Sequence, residues 1–260
     1  MKANLFSKYN RKEGLTMLLN PGNKGLKLIE FGILSLKKGE IFREESKKKE
    51  VVLVILSGKC KVTSHGKEWK SVGERKSVFE GKPYAVYIPA NSEYTVTGLG
   101  NVEIALCKAP ANPRKMARLI TPKDIRALSR GRENWYRDAY EIATLREEAE
   151  SLIVGETISG PGNWCSYPPH RHEVEEMYFF KVNPPQGFGV QRVYTEDKKL
   201  DELYVIENNT LVAIPEGYHP LVAAPGYSVW FLYVIATRKD QILKQYNDPS
   251  HVWLESSKGI

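Results

Sequence analysis

Two histidines separated by a single residue, His170 and His172, constrain this chain more than any other feature. Side chains at i and i+2 point the same way on a β-strand, whereas a helix brings i and i+4 together. A third histidine, His219, follows Pro215-Glu-Gly-Tyr, and Glu173, Glu175 and Glu176 lie beside the first pair. Three of the five histidines thus fall in two short clusters. Neutral imidazoles with one carboxylate, and coordination positions left open, suit one catalytic divalent metal ion: Zn, Mn, Fe, Ni or Co.

The remaining pattern is that of strands. Val51-Val-Leu-Val-Ile-Leu56 is an unbroken apolar, β-branched run ended by Ser57-Gly58, and Lys59-Cys-Lys-Val-Thr63 alternates as a half-buried strand does. Tyr84-Ala-Val-Tyr-Ile88, Tyr94-Thr-Val-Thr97 and Val102-Glu-Ile-Ala-Leu-Cys107 continue the series. After residue 150 the plan repeats, with strands at 150–157, 177–182, 189–194, 210–214 and 228–235. Short strands at turn-punctuated intervals predict an all-β sandwich or barrel. Ile88-Pro-Ala-Asn-Ser-Glu-Tyr94 parallels Ile214-Pro-Glu-Gly-Tyr-His219, which points to an internal duplication in which only the second copy carries metal ligands. Between the halves, Thr121-Pro-Lys-Asp has a helix-start signature and predicts a helix over 121–129. A second short helix is expected over 241–246, stopped by Asn247-Asp-Pro249.

His170-x-His172-x3-Glu176 followed by Pro215-x-Gly217-x-His219 resembles the two motifs of the cupin superfamily. Within it, residues 150–236 are similar to the bicupin family of 5-deoxy-glucuronate isomerases of myo-inositol catabolism. The matching stretches are Gly162-Asn-Trp-Cys-Ser-Tyr-Pro-Pro-His-Arg-His172, Glu175-Glu-Met-Tyr-Phe179, Asn183-Pro-Pro-Gln-Gly-Phe188, Gln191-Arg-Val-Tyr-Thr195 and Pro215-Glu-Gly-Tyr-His-Pro220. The resemblance implies two double-stranded β-helix (jelly-roll) barrels with a short helical linker. The N-terminal barrel, 1–115, would lack metal ligands, the linker would span 116–145, and the metal-binding barrel 146–260. It also implies the ligand set His170, His172, Glu176 and His219. Glu176 is preferred over Glu175 because Glu176-Met-Tyr-Phe179 is the phrase that matches the family.

The implied reaction is an aldose–ketose isomerisation of a six-carbon sugar acid. Family relatives act on 4-deoxy-L-threo-5-hexosulose-uronate in pectin breakdown, and a cupin oxygenase or a non-enzymatic sugar-binding cupin are further readings. Strand parity puts Glu176, Tyr178 and Phe180 on one face, making Glu176 and Tyr178 catalytic candidates, with Tyr233 a third, inward phenol. Gln191, Arg192 and Arg171 are the substrate-binding candidates, since guanidinium binds carboxylate bidentately, although the parity of both arginines points away from the ligands. Cys165 reads as a small buried thiol, and Glu173 and Glu175 as a solvated loop.

The formal net charge of +7 comes largely from local runs such as Lys47-Lys-Lys49 punctuated by glutamates, with no nucleic-acid motif, so no nucleic-acid partner is expected. No apolar run approaches the roughly 18–20 residues of a membrane helix, and Met1-Lys-Ala-Asn-Leu-Phe-Ser lacks a signal-peptide core. With three widely spaced cysteines, the expectation is a cytoplasmic protein with free thiols, no membrane partner, a small sugar-acid substrate and a tendency to form homo-oligomers.

Overall fold

The computed structural model describes residues 4–145, 149–238 and 243–256. The strands of the first part are β1 (Phe6–Lys8), β2 (Gly14–Leu19), β3 (Glu30–Leu36), β4 (Ile41–Glu45), β5 (Lys49–Ser57), β6 (Cys60–Ser64), β7 (Lys67–Val72), β8 (Ala85–Ile88), β9 (Glu93–Gly98), β10 (Val102–Pro110) and β11 (Arg118–Ile120). The second part holds β12 (Arg126–Arg130), β13 (Arg137–Ala143), β14 (Leu152–Ser159), β15 (Trp164–Cys165), β16 (His170–Arg171), β17 (Glu175–Asn183) and β18 (Phe188–Tyr194). It continues through β19 (Asp201–Glu207), β20 (Thr210–Ile214), β21 (Leu221–Ala223), β22 (Ser228–Ala236) and β23 (Tyr246–Asn247). Helix is confined, among the described residues, to one 3-10 turn, Glu133–Trp135, and one α-turn, Trp253–Ser256.

Two large sheets form the middle of the molecule, ordered β11-β8-β5-β10-β3-β2 and β1-β20-β17-β22-β14-β13-β12. Four-stranded sheets, β4-β9-β6-β7 and β15-β21-β18-β19, accompany them. The unbroken apolar run of β5 follows from this layering. Val52, Val54 and Leu56 enter the core shared with the seven-stranded sheet, while Val51, Leu53 and Ile55 enter a separate core with Cys60, Val62 and Val96 of the outer sheet. A strand covered on both faces has no position for a polar residue. The Phe31 and Phe179 rings, 5.5 Å apart, join the two large sheets.

One strand crosses between the two parts, and the other edge of the first sheet is closed from within it. β1 pairs with β20, Phe6 opposite Val212, while β11 pairs with β8, Arg118 opposite Tyr87. Two carboxylates, Glu50 buried and Glu175 half-buried, tie each part to the other. Glu50 at the start of β5 accepts the N–H groups of Glu150, Ser151 and Leu152 at 2.7–2.8 Å, just before β14. Glu175 at the start of β17 accepts those of Lys27, Leu28 and Ile29 at 2.6–2.7 Å, just before β3. Glu175 is therefore a clasp between the halves and not the solvated loop residue expected from sequence. A bidentate ion pair, Arg75 to Glu156 at 2.8 and 3.0 Å, crosses the same junction with both side chains buried.

The helix expected over 121–129 is a correction. The Thr121 N–H and Oγ1 do donate to the Asp124 carboxylate, at 2.8 and 2.7 Å, as a helix cap would. Ile125 is then buried, and β12 runs on as an edge strand paired with β13. The local start signal is satisfied by one turn, after which edge pairing decides. Of the helix expected over 241–246, residues 241–242 lie outside the described residues, and Tyr246 belongs to β23.

Candidate metal centre

The two-residue strand β16 carries His170 and pairs with β23, His170 opposite Asn247 and Arg171 opposite Tyr246. The tail that supplies β23 is fastened by the Asp248 N–H to the Pro169 carbonyl (2.8 Å) and by the Tyr194 hydroxyl to the Asp248 carboxylate (2.6 Å). β17 and β20 pair with Glu176 opposite Ile214, which brings the turn after β20, and hence His219, over Glu176.

Each imidazole donates its Nδ1–H to a backbone carbonyl: His170 to Pro168 (3.2 Å), His172 to Lys244 (2.9 Å) and His219 to Gly217 (3.1 Å). This arrangement fixes the tautomer and leaves every Nε2 lone pair free for a metal. The three ring centroids are 5.0–5.7 Å apart, and one nitrogen from each ring lies within 4.8 Å of the others. Glu176 Oε2 stands 3.3 Å from His219 Nε2 and 3.8 Å from His172 Nε2.

Burial keeps the imidazoles neutral. It lowers His170 to about 3, with the neighbouring His172 adding to the effect, lowers His172, and takes His219 well below its usual value. Neutral imidazoles cannot form ion pairs with Glu176, so a carboxylate oxygen faces nitrogen lone pairs. Glu176 Oε2 and His219 Nε2 are buried without any hydrogen-bond partner. Orphaned buried acceptors cost free energy unless something electropositive sits between them. The donor set, three imidazole nitrogens and a carboxylate oxygen, fits a divalent cation. Burial pushes the Glu176 carboxyl up to about 8, an effect that a bound cation reverses.

Tyr178 is buried in this centre. Its ring lies edge-on to His219 at 5.7 Å and against Phe231 at 4.5 Å, and its hydroxyl is 2.9 Å from Ser166 Oγ. Tyr233 stands opposite Tyr178 in the β17–β22 register, so both phenols share one face. Its hydroxyl lies over Gly155, where a Cβ would come within 2.1 Å of the phenolic oxygen. The absence of a side chain there is what admits the ring. Burial raises the pKa of both phenols.

Gln191 is fully buried, its Nε2 3.5 Å from the His219 carbonyl and its Oε1 unpartnered. The two arginines chosen from sequence fare differently from Gln191. Arg192 points outward into a bidentate pair with Asp201, both contacts 2.7 Å, and stacks over Tyr194; the structure does not bring it to the centre. This corrects its assignment as a substrate contact: strand alternation turns it from the face that Gln191 occupies. Arg171 stacks on Tyr246 at 4.7 Å and, with His172, Thr195, Glu196 and Pro215, borders an open cleft of about 1170 Å³. Cys165 is buried, and burial raises its thiol pKa to about 11, so it is no thiolate ligand.

Sequence reasoning missed three contributors. The Lys244 carbonyl that orients His172, and the tail that carries it, follow from the β16–β23 pairing, for which a two-residue strand leaves no periodic trace. Arg137 of β13 places its guanidinium beside the same centre, donating to the Tyr167 carbonyl at 3.1 Å.

A 5-deoxy-glucuronate isomerase from Geobacillus kaustophilus (strain HTA426) is 40% identical over 257 residues, 95% of this chain and 93% of that protein. The crystal structure of an IolB-like protein from Salmonella typhimurium LT2 matches with a TM-score of 0.93 at 32% identity, covering 97% of this chain and 100% of that one. A Cupin 2 conserved barrel domain protein from Leptotrichia buccalis matches at 13% identity with a TM-score of 0.53, over 91% of this chain and 98% of that one, a likeness of fold alone. The all-β architecture is thus shared with cupin proteins. Residues 5–254 match the KduI/IolB family, and the chain belongs to it.

Proposed function

We propose that this chain is a metal-dependent aldose–ketose isomerase that converts 5-deoxy-D-glucuronate to 5-dehydro-2-deoxy-D-gluconate. The observation that carries this reading is the convergence of His170, His172 and His219 on the orphaned Glu176 carboxylate, in a chain whose 40%-identical relative is a 5-deoxy-glucuronate isomerase. Glu176 is the fourth ligand, and the donor set accommodates Zn, Mn, Fe, Ni or Co. When bound, the ion would polarise the substrate carbonyl and its neighbouring hydroxyl and so acidify the proton at C2.

The chain's own groups divide the remaining work. Tyr178 and Tyr233 keep their protons through the neutral range, because burial raises both, and so act as hydrogen-bond donors to substrate oxygens. Among the three catalytic candidates only Glu176 offers a carboxylate to accept a proton. Gln191 presents its free Oε1 to a substrate hydroxyl. Leu221 and Phe231, both buried, help keep the interior dry. The scaffold is a bicupin. Residues 1–115 and 146–260 supply most of each barrel; β1 crosses to pair with β20, and β11 of the linker pairs with β8 of the first barrel.

The test offers 5-deoxy-D-glucuronate and 4-deoxy-L-threo-5-hexosulose-uronate to one metal-defined preparation, in air and under argon. Turnover of the first sugar at equal rates in both atmospheres is expected. Preference for the second sugar, or a requirement for oxygen, contradicts the proposal.

A further inference from the structure

Arg137 stands out among the interior cations. Arg75, Lys108 and Lys181 each meet a carboxylate: Glu156 at 2.8 Å, Glu44 at 2.6 Å and Glu103 at 2.7 Å. Arg137 has no carboxylate within ion-pair distance among the described residues. Its Nη1 donates only to two neutral carbonyls, Trp135 at 3.2 Å and Tyr167 at 3.1 Å. Nε and Nη2 have no partner among the described residues. A half-buried guanidinium without a counter-charge is costly, and burial lowers its pKa accordingly.

Its position is built. Gly131, at φ +74°, lets the β12–β13 connection fold over the guanidinium; a Cβ there would lie 2.9 Å from Nη1 and 2.2 Å from the Trp135 carbonyl. The carbonyls of the adjacent residues Tyr167 and Pro168 hold Arg137 and His170 respectively, so guanidinium and metal-ligand imidazole share one anchoring segment. The Arg137 charge acts on His170, Tyr178 and Cys165, in keeping with that shared segment. Arg130, its cross-strand neighbour, adds a second positive charge felt by His170 and Tyr233. Arg192 is satisfied by Asp201, and Arg171 lies flat over Tyr246 at the border of the open cleft.

We propose that Arg137 receives the carboxylate of the sugar-acid substrate and is the residue that makes the site select acids over neutral sugars. The inference rests on the isomerase reading given above. A six-carbon acid whose C1–C2 end lies at His170, His172 and His219 carries its carboxylate at the opposite end, several ångströms away. A guanidinium with two unpartnered N–H edges binds that group with charge-assisted hydrogen bonds.

The experiment compares wild type, Arg137→Ala and Arg137→Lys on 5-deoxy-D-glucuronate and on 5-deoxy-D-glucose, which has a hydroxymethyl group in place of the carboxylate. Arg137→Ala is expected to lower kcat/KM for the acid about tenfold to a hundredfold, mainly through KM, the range set by one charged hydrogen-bonded contact. The neutral sugar should change less than about twofold, and Arg137→Lys should recover part of the loss. Bound metal per chain and Tm should match wild type. Equal losses on both sugars, or no loss on the acid, overturn the proposal. If wild type turns over neither sugar, the isomerase reading fails on its own. Calorimetry with the acid reduced at its aldehyde then decides: binding at least tenfold weaker in Arg137→Ala supports the carboxylate site, and equal binding overturns it.

Discussion

The two large sheets are built on one plan and hold opposite electrostatics. In each, a strand opening with a clasping glutamate, Glu50 of β5 or Glu175 of β17, lies between a short strand ending in Ile-Pro and a long return strand. Around β17 the interior gathers three neutral imidazoles and an unpartnered carboxylate oxygen, with no cation of its own among the ligands. Around β5 the corresponding turn after Ile88 delivers Tyr94, whose hydroxyl bonds the Glu44 carboxylate. There Lys108, opposite Val51 in register as Ile235 is opposite Glu176, puts its ammonium 2.6 Å from Glu44 and 3.4 Å from Glu30. One interior carries a covalently attached cation, whereas the other offers a donor set that could hold a cation from solution. The shared backbone sets the shape, and a handful of interior side chains set the chemistry.

Changes on the two sides should therefore have opposite consequences. The largest effect is expected from His172→Ala or His219→Ala, which should abolish metal retention and lower turnover by about a thousandfold or more. Metal analysis of the dialysed protein alongside turnover checks it; full metal with full activity would remove these residues from the centre. Lys108→Met should leave turnover within about twofold but destabilise the fold by about 2–4 kcal/mol, because Glu44 and Glu30 lose their buried counter-charge. Urea unfolding measures this, and a metal or activity defect would show that the β5 interior takes part in the chemistry.

The clasps sharpen the comparison further. Glu50→Gln should cost about 1–3 kcal/mol, and Glu175→Gln less, since Glu50 is fully buried and also accepts from Tyr87 at 2.9 Å. A larger loss from Glu175→Gln would contradict the equivalence drawn between them. Acid should separate the interiors as well. His170 is held at about 3 in the fold against 6.5 when free, so the unfolded chain binds the extra proton, and stability is lost as pH falls from about 6.5 towards 3. His172 and His219 act in the same direction, while Glu176, raised to about 8, opposes them as pH falls from 8. In metal-free protein, His170→Asn should flatten the stability profile below pH 6.5, and Lys108→Met should not. The smallest effect is expected from Arg192→Ala, an exposed pair worth up to about 1 kcal/mol and within about twofold in rate.

The legible part of this molecule was what repeats or alternates locally. His170 and His172 can be paired because strand parity is a local rule, and the placement of Glu176, Tyr178 and Phe180 on one face follows from the same rule. The outward parity of Arg192 is also local, and it agrees with the pairing of its guanidinium with Asp201. Glu175, the Lys244 carbonyl and Arg137 were illegible for a different reason. Each acts through a partner far along the chain, 27–29 for Glu175, His172 for Lys244 and Tyr167 for Arg137, and no periodicity records such a register. The crossing of β1 to β20 is of the same kind. At Thr121 a sound local signal was outweighed by the pairing of β12 with β13.

The central claim is that the His170, His172, Glu176 and His219 set holds a divalent ion on which isomerisation depends. Proton NMR of 5-deoxy-D-glucuronate in D2O, with the protein stripped by EDTA and then reloaded with one defined metal at a time, tests it most directly. We predict no conversion by the stripped protein, and restored formation of the ketose with at least one metal. Conversion at an undiminished rate after complete metal removal would contradict the account.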